Sequence, residues 1–136
     1  MGFLNKAATK TKTSLSTSSN KISESREVSK IESQIKDEKN KVKANYELIG
    51  KEYYRSTTDK DPSHKKLIEE YVDQINESRR LIEEYERQIE EVRAAAKEER
   101  EAMRAEADAK IREKEAEEEA ARAEKAKQKK EEDDLF

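Results

Sequence analysis

Few residues of this chain are of the kinds that perform chemistry, and their neighbours limit what each can do. His64 is the single histidine and there is no cysteine. No Cys-containing zinc site, disulfide or thiol nucleophile can therefore be assembled. A lone histidine just after Pro62 and Ser63 reads as a surface residue of a first helical turn. The acidic run Glu115 to Glu119 could attract cations. It lacks the loop, the glycine turn and the backbone carbonyl ligands of a helix-loop-helix calcium site, and reads as a solvated helix face. Gly50 follows Ile49 with no phosphate-loop pattern around it. No glycine-rich loop, Ser/His/Asp set or nucleophile elbow occurs. The expectation is a protein that is not an enzyme, with no catalytic, cofactor-binding or metal residues and no cofactor.

The composition agrees. Ala, Glu, Lys, Leu and Arg fill 77 of 136 positions, the signature of long helices and coiled coils. Leu, Ile, Val and Phe supply only 21, too few to wall a buried pocket. Low hydrophobicity with high net charge would mean disorder, but 33 acids nearly balance 30 bases, for a net charge of -3. The signs are interleaved, which permits helical i,i+4 pairs. So small a net charge gives no reason to expect general nucleic-acid binding. No run of apolar residues is long enough to span a membrane, and residues 1–20 lack the core of a signal peptide. A cytoplasmic location is expected.

Hydrophobic spacing organises the chain into six stretches. Residues 1–23 carry Lys6, Lys10, Lys12 and Lys21 and no acid. Their loose apolar spacing through Phe3, Leu4, Ala8, Leu15 and Ile22 is diluted by Ser and Thr, so a frayed or conditional helix is expected. In residues 24–56, Val28, Ile31, Ile35, Val42 and Ile49 fall on a heptad stripe, interrupted by Glu38 and Asn45, with Tyr46 and Tyr53 extending it. Residues 57–62 form a loop in which Pro62 disfavours helix before it and Asp61 is the expected N-cap. The heptad resumes over 63–96 through Ile68, Tyr71, Ile75, Ser78, Ile82, Tyr85, Ile89, Val92 and Ala96. Residues 97–130 lose the stripe and read as an exposed, charged helical rod needing no partner, held by pairs such as Glu106–Lys110 and Glu118–Arg122. Residues 131–136 form an acidic tip.

Two amphipathic helices joined by a short loop fold back as an antiparallel hairpin. Around this loop Ile49 pairs with Tyr71, Val42 with Ser78, Ile35 with Tyr85, Ile31 with Ile89 and Val28 with Val92. The predicted fold class is all-α: an antiparallel coiled-coil hairpin with a charged helical extension. Its seam core is Val28, Ile31, Ile35, Val42, Ile49, Ile68, Ile75, Ile82, Tyr85, Ile89 and Val92.

Four of the five tyrosines lie near the loop: Tyr46, Tyr53, Tyr54 and Tyr71. They thicken the seam there or form a docking surface for a protein or a second copy, where tyrosine is enriched. The opening Met1-Gly2-Phe3-Leu4-Asn5-Lys6 has Lys where a myristoylation signal needs Ser or Thr. What remains is a weakly amphipathic basic segment that could touch a membrane surface. At the other end, four acids precede Leu135 and Phe136, as in a docking peptide whose acids steer toward a basic rim while the apolar pair fills a pocket. That ending resembles the acidic tips of bacterial single-stranded-DNA-binding proteins, without their penultimate proline and without any likeness elsewhere.

The opening MGFLNKA, the central seam and the stretch ELIGKEYYRSTTDKDPSHKKLIEEY resemble the start of small bacterial proteins in which a helical hairpin precedes a C-terminal zinc ribbon. An Ile-Gly-Lys-x-Tyr-Tyr stretch, here Ile49 to Tyr54, leads in them into an Asp/Pro loop and a second helix. The likeness covers roughly residues 1–95. With no cysteine here the ribbon is absent, and no metal site carries over. The resemblance implies a bacterial cytoplasmic scaffold. The function expected from the whole is a coiled-coil scaffold or spacer acting through protein–protein interaction or self-association. The alternatives are a peripheral membrane adaptor using residues 1–23 and a tether docking through Leu135 and Phe136.

Overall fold

The computed structural model describes the backbone of residues 2–135 and the side chains of residues 6–135. The chain is two helices, α1 (Gly2–Thr58) and α2 (Ser63–Asp134), with no strand among the described residues. It is an all-α helical hairpin. The turn is built by short polar side chains. The hydroxyls of Ser56, Thr57 and Thr58 donate back to the carbonyls of Tyr53, Tyr54 and Arg55, competing with further backbone pairing. Pro62 then bars helix at the residue before it. Asp59 Oδ1 accepts from the Asp61 amide at 3.1 Å, and Asp61 Oδ1 accepts from the Ser63 amide at 2.9 Å. Asp61 thus caps α2 as expected, and this bond lowers its pKa below the usual aspartate value. Helix α1 runs two residues further than the sequence suggests, leaving residues 59–62 as the connection.

The chain divides into two compact units, one formed by residues 23–95 and the other by residues 1–22 with 96–136. In the 23–95 unit, Val28, Ile31, Ile35 and Ile89 form a buried cluster with Ile82, Tyr85 and Val92 packed against it. These are the residues that the heptad brings together in register. Burying each aliphatic side chain stabilises by roughly 1.5–3 kcal/mol relative to leaving it in water. Ile75 is also buried, while Val42, Ile49 and Ile68 are half-buried. Among the described residues none is fully sealed from solvent, since each helix has only one neighbour.

Toward the turn the seam buries Ile75 and the polar positions Glu38, Asn45 and Ser78 that the heptad places inward, and it departs from expectation in also burying Glu52. Tyr46 and Tyr53, expected to extend the stripe, are 51% and 65% exposed. Each lies one residue, about 100° of rotation, past the position that the heptad turns inward. The period won over side-chain type. Glu38 keeps its charge because it accepts from Lys41 at 3.0 Å and is held by Ser78, which together lower its pKa.

The other unit differs from the expectation of a charged rod that stands alone from its start. Residues 2–22 are the continuous start of α1. Within the unit they lie beside the first half of the charged segment. Asn20 donates to Glu99 and accepts from Arg100, and Lys6 pairs with Glu115 at 3.4 Å. Here the covered positions on α1 are Thr9, Thr13, Thr17 and Asn20, and on α2 Ala96, Arg100, Met103, Ala107 and Ile111. Both sets step by four and three with an extra four, an eleven-residue spacing instead of a heptad. A seam with threonine on one side packs loosely, and an open groove runs between Thr9, Thr13 and Lys12 on one helix and Met103, Ala107 and Lys110 on the other. Beyond residue 118 every described side chain is exposed. There the segment does stand as a charged helix, with Glu118 and Arg122 3.8 Å apart.

Candidate functional site

Chemistry-bearing side chains gather at the turn end of the 23–95 unit. Helix α1 ends there with Glu52, which occupies a seam position and is only 4% exposed. Helix α2 begins there with His64, whose side chain is 12% exposed. Folding brings the two together: His64 Nδ1 hydrogen-bonds Glu52 Oε1. Glu52 Oε2 also accepts from Arg55 at 3.2 Å. On its other side, His64 Nε2 lies 3.4 Å from Asp59 Oδ2. That separation suits charge attraction, but Nε2 is buried and completes no hydrogen bond. The Glu52 hydrogen bond, opposed by desolvation and helped by Asp59, raises the His64 pKa above its ordinary 6.5. The bond from His64 lowers the Glu52 pKa in turn. His64 is therefore not the surface residue the sequence suggests. The cluster ties helix to helix through internal partners. No grouping of three His, Cys, Asp or Glu among the described residues could hold a metal ion.

The tyrosines beside this clasp separate into two kinds. Tyr71 is half-buried in the seam. Tyr46, Tyr53 and Tyr54 face solvent, the last 72% exposed, and only Tyr46 is tied down, accepting from Arg79 at 2.8 Å. Leu48 and Val72 are exposed in the same unit. Of the terminal pair, Leu135 is 81% exposed, while Phe136 lies outside the described residues. Sequence reasoning missed Glu52 and His64 as partners. Continuing the three-four spacing from Ile49 to Glu52, and placing an N-capped helix start opposite it, was the available signal.

Fold and site together define an antiparallel helical hairpin with a charged clasp at its turn and an exposed aromatic face beside it. Comparison with protein-family models, with curated proteins and with solved structures finds no match to this chain.

Proposed function

We propose that this chain is a non-enzymatic, cytoplasmic coiled-coil scaffold that engages protein partners through the turn end of its 23–95 unit. The supporting observation is the exposure of Tyr46, Tyr53 and Tyr54 together on a helix whose inward stripe is already occupied by the seam. Tyrosine rings supply contact area at low entropic cost and a polar tip, and they concentrate at interface hot spots. The resemblance to zinc-ribbon hairpin proteins, carried by Ile49 to Tyr54, adds support from the same stretch. A photoreactive phenylalanine analogue at Tyr54 tests the reading in cells, with the exposed Glu32 as control. Protein adducts are expected from position 54 well above those from 32. Equal yields would overturn it.

A second reading has its own observation. Thr9, Thr13, Thr17 and Asn20 take the covered positions of the N-terminal segment, while Leu15 and Ile22 are 68% and 55% exposed. This places apolar groups outward on a stretch whose only charges are lysines, as a membrane-surface helix requires. Among the described residues no helix is long and apolar enough to cross a membrane. Flotation with anionic vesicles, with and without residues 1–22, distinguishes this reading from the scaffold.

A further inference from the structure

The aromatic face of α1 has a gap that the chain itself does not fill. Gly50 sits mid-helix, and a Cβ built there meets nothing within 4 Å. No packing inside the chain calls for glycine, although glycine in an exposed helix costs about 1 kcal/mol relative to alanine. The missing side chain leaves a shallow depression lined by Glu47, Gly50, Lys51, Tyr54 and Arg55. At 3.6 residues per turn, Tyr46, Gly50, Tyr53 and Tyr54 fall within about 100° of one another. A glycine flanked by exposed rings is a place where another helix can approach the backbone closely.

We propose that the occupant is a second copy of this chain, the two α1 helices crossing antiparallel about a two-fold axis at Gly50. This inference rests on the reading of the face as a protein-binding surface. Such an axis sets Gly50 against the partner's Gly50 and Tyr46 between the partner's Tyr53 and the partner's Tyr54. Charge selects the occupant. In an antiparallel pair, residues on the same flank face each other, and Glu47 and Lys51 share a flank. Each copy's Glu47 therefore meets the partner's Lys51, twice over, which is the self-complementarity that a two-fold interface demands. Within the chain, neither Glu47 nor Lys51 joins an ion pair among the described residues, despite their favourable i,i+4 spacing. Three partly exposed tyrosines from each copy, at about 150–250 Å² of surface per ring, put the contact at the small end of specific interfaces. The association is weak and reversible.

Sedimentation equilibrium of the full chain, from micromolar to hundreds of micromolar, is expected to show a monomer–dimer equilibrium. Gly50→Leu fills the crossing point and weakens it by roughly tenfold or more, with helix content undiminished. Glu47→Lys and Lys51→Glu each place like charges across the axis, so each alone is monomeric where the native chain dimerises. An equimolar mixture of the two restores the dimer, because the copies are then oppositely charged. Two results overturn the proposal: a native chain that is monomeric throughout, or a mixture no more associated than its components. A monomeric native chain that still forms Tyr54 adducts with other proteins sinks self-pairing and leaves the docking surface standing. A monomer without such adducts sinks both.

Discussion

Glu52 and His64 hydrogen-bond to each other across the turn, joining the most buried acid among the described residues to the chain's single histidine. The bond links the last turns of α1 to the first turn of α2, so whatever titrates it acts on closure of the hairpin. The charged groups around it are Glu52 and Arg55 on α1 and Asp59 and Asp61 in the connection.

The pH dependence follows from the two shifts. The pKa of His64 is raised, so its stabilising contribution is complete below the unfolded value near 6.5 and disappears as pH rises through the folded value. That of Glu52 is lowered, so its contribution is complete above about 4.5 and disappears as pH falls through the folded value. The clasp is strongest between these limits. Thermal melts of the native chain should therefore show a lower midpoint at pH 8 than at pH 5.5, beyond the change seen for His64→Asn. Identical pH profiles for the two chains would show that the bond does not contribute.

The central cluster should carry most of the stability of the 23–95 unit. Ile89 is 8% exposed and packs with Val28, Ile31 and Ile35. Ile89→Asp puts a carboxylate into that contact and should cost at least ~3 kcal/mol, enough to unfold so thin a unit. Ile22→Asp, at a residue 55% exposed, should shift the melt by less than ~0.5 kcal/mol. Comparable melts for the two variants, followed by circular dichroism, would contradict the seam assignment.

The seam from Val28 to Val92 was legible in the sequence because a three-four spacing of Ile and Val has few other readings. At the turn, side-chain type misled: Tyr46 and Tyr53 look like core, but the period hands those positions to Asn45 and Glu52. Glu52 is accepted there because His64 and Arg55 satisfy it, and such partners are created by the fold. His64 illustrates the same limit, since its bond to Glu52 spans twelve residues and two helices. Around the N-terminal segment, a heptad template fails where the spacing changes to eleven. Thr9, Thr13, Thr17 and Asn20 carry that spacing without apolar side chains to mark it.

The threonine seam of the unit formed by residues 1–22 and 96–136 should be improvable. Thr17 is 9% exposed, and its hydroxyl donates back to the carbonyl of Ser14 at 3.0 Å, within its own helix. Thr17→Val therefore orphans no group across the seam and adds a buried methyl, worth up to about 0.8 kcal/mol. Hydrogen exchange should slow at the amides around Ala107 and Ile111, which are buried in the same unit. Unchanged exchange there would mean that the two segments do not protect each other.

The last stretch of α2 should respond to salt in a way the seam does not. Beyond residue 118 the described side chains are all exposed, so helix is sustained there by propensity and by pairs such as Glu118–Arg122, at 3.8 Å. An exposed i,i+4 pair contributes roughly 0.2–0.5 kcal/mol, and screening shortens its reach to about 3 Å in molar salt. Burial of Ile31 and Ile89 is not weakened by the same ions. Amide exchange at low and molar sodium chloride should thus accelerate over residues 119–134 while the amides of Ile31 and Ile89 hold their protection. Acceleration of both together would tie the end of α2 to the stability of the seam, and random-coil rates at low salt would deny it a helix altogether.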